Sequence, residues 1–107
     1  MKDKNKLLQD MLEAISSIEA YSVPTYEIFM SDDKTQDAIM FNLIVLGEAA
    51  NNVSIEFQAE HPEIPWSSII GTRNVIAHGY DQIKTRIVWD IIKNNLSSLR
   101  KDLLNLL

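Results

Sequence analysis

Between about Lys34 and Phe57 the apolar residues Ile39, Leu43, Leu46, Ala50, Val53 and Phe57 recur in alternating steps of four and three. A heptad-like stripe of that length fits an α-helix that buries one face from end to end, and it leaves little room for a strand. Met40, Ile44 and Gly47 widen the stripe, so the helix must meet more than one neighbour. Gly47, Ala49 and Ala50 are small enough to let another helix come close to its backbone. Glu48 sits among them. An acid there either faces water or serves as the polar partner of a site, because a buried carboxylate needs a partner.

The rest of the chain builds helices around this one. Leu7, Leu8, Met11, Leu12, Ile15 and Ile18 fall at helical spacing and predict an amphipathic helix over Lys4–Ala20. Tyr21-Ser22-Val23-Pro24 ends it, since the residue before proline avoids the helical region. A short helix over Thr25–Met30 follows, and Ser31-Asp32-Asp33 is a capping cluster for the long helix. His61-Pro62-Glu63-Ile64-Pro65-Trp66 reads as a stiff turn with His61 on the surface, and Pro65 suits the first turn of the next helix. Trp66, Ile69, Ile70 and Ile76 give that helix its buried face. A last helix runs from about Arg86 to Leu106, with Thr85 as its candidate cap. Alternating strand patterns, repeats and low-complexity segments are absent from the sequence. The expectation is an all-α bundle of four to five helices spanning residues 1–107 as one domain.

Charge and composition exclude several classes. The sequence has no cysteine, which removes disulfides and thiolate metal sites and suits a reducing cytoplasm. No stretch approaches the roughly 20 apolar residues of a membrane span. The net charge of −5 argues against a generic nucleic-acid binder. Its distribution is uneven, however. Residues 1–63 hold 4 Lys against 12 acids, whereas residues 64–107 hold 6 Lys or Arg against 3 acids. That basic excess either forms a local cationic cleft or solvates helix faces.

Within the basic part lies Gly71 to Tyr80, G-T-R-N-V-I-A-H-G-Y. Arg73 is a permanent cation that can grip a phosphate with two hydrogen bonds. His78 can take or give a proton near neutral pH. Metal-free cutting of RNA needs such a pair, a cation for the crowded phosphate and a group for proton transfer. Asn74 can orient either. In an unbroken helix residues 73 and 78 lie roughly 140° apart. To serve one phosphate, they require either a helix that loosens near Ala77, helped by Gly79, or a symmetric dimer that brings them together. Arg73 also lies within the apolar stripe of its own helix. A cation at that angle suits a subunit interface or a cleft floor better than a monomer core. The pair alone would also suit a helix-end arginine and a capping histidine. There is no Gly-rich phosphate loop and no zinc-ligand spacing, and no metal or cofactor is expected.

The run Arg73-Asn74-Val75-Ile76-Ala77-His78-Gly79-Tyr80 reproduces an R-x-x-x-x-H-x-Y signature with a polar residue after the arginine. With N-L-I-V-L-G-E-A-A at 42–50, H-P-E-I-P-W at 61–66, I-V-W-D-I-I at 87–92 and L-L-Q-D-M-L-E-A-I at 7–15, the chain resembles HEPN-domain proteins of the HepT-like toxin branch along nearly its whole length. The resemblance implies a HEPN-like bundle, a two-fold homodimer and a metal-independent endoribonuclease, cytoplasmic and toxic when unrestrained. It implies catalysis at the signature residues Arg73 and His78, and the residue reading adds Asn74 and Glu48 in support. It also implies a partner, a minimal nucleotidyltransferase antitoxin of the MntA type that transfers AMP from ATP to Tyr80. Two other readings stay open at this level: a non-catalytic HEPN dimer that acts as scaffold for a nucleotidyltransferase, and a module in which Arg73 grips a mononucleotide.

Overall fold

In a computed structural model, which describes residues 3–79 and 85–107, the chain is helical throughout with short links. The helices are α1 (Lys4–Tyr21), α2 (Tyr26–Ser31), α3 (Asp33–Asn52), α4 (Ile55–Glu60), α5 (Trp66–Gly79), α6 (Thr85–Asn94) and α7 (Leu96–Leu104). Side chains close most of the N-termini. Asp3 accepts from the Lys6 N–H (2.9 Å), Thr25 Oγ1 from Ile28 (3.2 Å) and Asp32 Oδ1 from Thr35 (3.0 Å), each satisfying a donor the first turn leaves open. The Thr35 hydroxyl also donates to Asp32 Oδ2 at 2.7 Å, and chiefly for that reason the Asp32 carboxyl titrates below the usual carboxylate range.

Seven described helices exceed the four or five expected because two long helices are interrupted. The stripe that predicts one helix to Phe57 is cut at Val53, whose backbone is extended, and Ser54 Oγ caps α4 by accepting from Phe57 N–H at 3.2 Å. Gln58 Nε2 reaches back to the carbonyls of Val53 (3.0 Å) and Ala50 (3.3 Å), so the end of α3 is not left unpaired. The second interruption, at Asn95, is slighter. Its backbone stays right-handed, and the bonds from Asn95 N–H to Ile91 O (3.0 Å) and from Leu99 N–H to Asn95 O (3.1 Å) carry on across it. Thr85, the expected cap, is already the first residue of α6.

α3 is the central element, with α1 along one side and α5 along another. The predicted stripe is buried from Ile39 through Leu43, Leu46 and Ala50 to Val53. Against it α1 places Leu7, Leu8, Met11, Ala14, Ile15 and Ile18, and α5 places Trp66, Ile69 and Ile76. Each large side chain buried this way contributes about 1.5–3 kcal/mol. Leu96, Leu99 and Leu103 bring α7 into the same core. α2 and α6 meet through rings: Phe29 lies 5.5 Å and Tyr26 5.9 Å, centroid to centroid, from Trp89.

Where α3 and α5 cross, the contact is backbone-close. A Cβ built on Gly47 would lie 2.2 Å from Arg73 Cβ, 2.9 Å from its Cγ and 3.1 Å from the Ile69 carbonyl oxygen. Only a residue without a side chain fits there. Gly71, by contrast, meets nothing within 4 Å. Gly47→Ala should therefore destabilise the fold by about 1–3 kcal/mol through overpacking. Gly71→Ala should stabilise it by about 0.5–1 kcal/mol, since alanine is the better helix former. Denaturant unfolding of the two variants checks the contrast; equal effects would mean that α3 and α5 do not touch at Gly47.

Candidate functional site

α5 is set at its start by Trp66, whose indole N–H donates to the His61 carbonyl at 2.9 Å while its ring stands edge-on to Phe57. His61 is a turn residue, as expected. Its Nδ1 lies 3.1 Å from Glu63 Oε2 and its ring lies on Phe57. Two turns into α5, Arg73 leaves the side that faces α3. Its stem lies over Gly47, and its guanidinium emerges at the edge of the contact, with 27% of the side chain exposed. Arginine does this readily, covering apolar backbone with its methylenes and keeping its head near water.

The head is held from two sides. Arg73 Nη2 donates to Glu48 Oε2 at 2.7 Å, and Nη1 donates to Asn74 Oδ1 at 2.7 Å. Glu48 is thus both of the things its sequence position allowed. Half of its side chain is exposed, and it is the arginine's partner. Arg73 Nε is buried and has no acceptor. An ion pair this open contributes about 0–1 kcal/mol. A buried donor without a partner costs about 1–3 kcal/mol. The arrangement therefore contributes little to the fold, and a buried polar group left unpaired in this way points to a working role.

His78 is not part of this cluster. α5 stays helical through Gly79, and none of the glycines described takes a left-handed conformation. The loosening near Ala77, one of the two arrangements that would let residues 73 and 78 serve one phosphate, does not occur. His78 is exposed in the last turn, roughly 140° around the helix from Arg73. Asn74 accordingly serves Arg73, with no described bond to His78. Tyr80, the expected AMP acceptor, lies outside the described residues.

Among the described residues, Arg86, Lys93 and Arg100 do not gather around Arg73. Arg86 lies over the Tyr26 ring at 4.7 Å and 3.5 Å from Asp90. Lys93 lies over Trp89 at 4.6 Å, and Arg100 binds Ser16 and Glu19 of α1. Arg86 thus ties α6 to α2 and Arg100 ties α7 to α1, while Lys93 covers a ring of its own helix and reaches the Val23 carbonyl at 3.4 Å. Among the described residues no group of three His, Asp or Glu side chains could hold a metal ion. No described helix is long and apolar enough to cross a membrane.

Beside Glu48 a groove of about 530 Å³ runs between α1 and α3, lined by Asp10, Glu13, Phe41, Ile44 and Val45 among others. Phe41 is 63% exposed. The spacing of Phe41, Ile44, Val45 and Glu48 (steps of three, one and three) marks a second stripe on α3 that the stronger core stripe masks in the sequence. A cavity of about 420 Å³ between α3, α5 and α7 contains none of Arg73, Glu48 and His78.

An all-helical chain with an outward-held arginine and an exposed histidine five residues on defines a helical protein with a cationic site at a helix crossing. The model of the HepT-like ribonuclease family matches residues 11–106. A protein of Thermococcus cleftensis named "Probable ribonuclease HepT" is 36% identical over 102 residues, which cover 94% of this chain and 93% of that one. A Methanocaldococcus jannaschii protein whose name reads "Putative RNase" is 33% identical over 103 residues, covering 95% and 85%. A protein of Caldanaerobacter subterraneus subsp. tengcongensis with a name of the same form is 30% identical over 108 residues, covering 100% and 96%. No solved structure was found to match. The chain belongs to the HepT-like ribonuclease family.

Proposed function

We propose that this single helical domain is a metal-independent endoribonuclease toxin that works as a two-fold dimer. Arg73 holds the scissile phosphate and stabilises the charge that develops on it. His78 supplies proton transfer, and Asn74 and Glu48 hold the arginine in place. The observation that carries the reading is the guanidinium itself, fixed at two nitrogens by Glu48 and Asn74 and open to solvent, in a chain of a ribonuclease family. A bidentate cation of this kind suits a phosphodiester better than a lysine would. Because α5 runs unbroken between residues 73 and 78, the reading assigns Arg73 of one copy to work with His78 of the other.

Arg73→Ala and His78→Ala should each lower RNA cleavage by about 100-fold or more while leaving the helical fold intact. EDTA should leave the wild-type rate unchanged. Gel assays on the purified proteins check this. Full activity in either variant removes it from the site, and loss of activity in EDTA points to metal chemistry. A pure wild-type protein that cuts no RNA would return the scaffold and mononucleotide-binding readings.

Control is assigned to Tyr80, two residues after His78. AMP joined to its hydroxyl by a nucleotidyltransferase antitoxin would put a phosphodiester anion and a purine beside the site, competing with RNA for Arg73. After incubation with ATP and such a transferase, intact-mass analysis should show AMP on Tyr80, and Tyr80→Phe should stay toxic and escape silencing. Modification at Tyr21 or Tyr26 only, or a silenced Tyr80→Phe protein, would contradict this.

A further inference from the structure

Cleavage at the 2′-hydroxyl is an in-line displacement, so the group that takes the 2′-proton and the group that protonates the leaving 5′-oxygen stand on opposite sides of the phosphorus. The reading above places a cation at the phosphate and a histidine for proton transfer, but it does not say which group takes the first proton. We infer that Glu48 is the general base of this reaction, and that His78 is its acid. The inference rests on the ribonuclease reading and deepens it.

Three observations carry it. Glu48 Oε2 already lies 2.7 Å from Arg73 Nη2, so a phosphate bound to the open side of the same guanidinium lies next to this carboxylate. No described residue donates to Glu48 Oε1, and half the side chain is exposed to the α1–α3 groove, which leaves an oxygen free to receive a substrate hydroxyl. His78 of the same chain lies on another face of α5, away from this phosphate, which leaves Glu48 as the described proton acceptor that its own chain places beside Arg73. The ion pair contributes too little stability for that to be its purpose, while its partner's Nε is left buried and unpaired.

The charges facing Glu48 fit the assignment. Arg73 reaches it from α5. Asp10 and Glu13 line the same groove from α1, Asp10 in a pair with Lys6 at 3.0 Å. These acids repel an RNA backbone from the α1 side of the groove and leave the Arg73 side as its approach. In the reaction the 2′-oxygen attacks phosphorus as Glu48 takes its proton. The bond from phosphorus to the 5′-oxygen breaks, and that oxygen leaves with a proton from His78. The products are a 2′,3′-cyclic phosphate and a 5′-hydroxyl end, with Glu48 protonated and His78 deprotonated; exchange with water restores both.

The test separates a base from an acid and from a group that only holds Arg73. Glu48→Gln keeps an oxygen that can accept from Arg73 but removes the basicity. Wild type, Glu48→Gln and His78→Ala are assayed on an RNA oligonucleotide and on the same oligonucleotide with sulfur replacing the 5′-oxygen at the linkage the wild type cuts. A thiolate leaves without an acid, yet the 2′-hydroxyl still needs a base. Glu48→Gln should lose about 100-fold or more on both substrates. His78→Ala should lose a similar factor on the oxygen substrate and recover to within about tenfold of wild type on the sulfur one. Glu48→Gln activity within about threefold of wild type would make Glu48 a positioning group only, and its rescue by sulfur would make it the acid; either overturns the inference. Products ending in 3′-hydroxyl and 5′-phosphate would overturn it as well. A wild-type protein that cuts neither oligonucleotide is a different failure, that of the ribonuclease reading, and the inference falls with it.

Discussion

The close approach of α3 and α5 at Gly47 fixes where Arg73 can place its charge. With no side chain at 47, the arginine stem lies on the backbone of α3, and its guanidinium comes out beside Glu48, the next residue on that helix. A larger residue at 47 would separate the helices and take the arginine away from its partner. The hydrophobic stripe of α3 and the polar cluster at its edge are therefore one construction. The core residues Leu43, Leu46 and Ala50 bring α5 close, and Gly47 makes the contact close enough to hold a cation at its rim.

Much of this was legible in the sequence, because burial follows periodicity. The stripe from Ile39 to Val53 and the α1 set from Leu7 to Ile18 are buried as their spacing predicts, with Leu12 only partly so. Asp32 caps the long helix, and the small residues of α3 do admit a close neighbour. Local chemistry overrode the pattern at two places. Val53-Ser54 interrupts a heptad whose spacing Phe57 continues: Val53 is extended and Ser54 caps a new helix. Asn95 interrupts the last helix for one residue while the ladder of backbone bonds runs on.

The candidate cluster was legible in composition and less so in geometry. Glu48, Arg73 and Asn74 come together as a polar cluster, although 25 residues separate the first two in sequence. That they do so follows from the packing of two helices, which spacing within one helix cannot reveal. The arrangement of Arg73 and His78 was posed by the sequence as a choice between a loosened helix and a second copy, and the continuous α5 removes the first. The basic excess of the second half of the chain left a cationic cleft and solvated helix faces equally open. Arg86 faces the Tyr26 ring of α2, Arg100 faces Glu19 of α1 and Lys93 lies over Trp89 of its own helix, and charge counts carry no information about direction.

On the proposed reading two copies complete each site, with the cation and the proton carrier on different faces of one helix, and activity would then depend on assembly as much as on folding. The central claim is that Arg73 of one copy works with His78 of the other. Mixed dimers test it most directly. Arg73→Ala and His78→Ala chains carrying different affinity tags are co-expressed, and the dimer bearing both tags is isolated. Each such dimer holds one intact pairing of Arg73 with His78 across the two-fold axis, so it should cut RNA at about half the wild-type rate although neither parent is active. A mixed dimer as inactive as its parents would place Arg73 and His78 in sites within single chains and contradict the account.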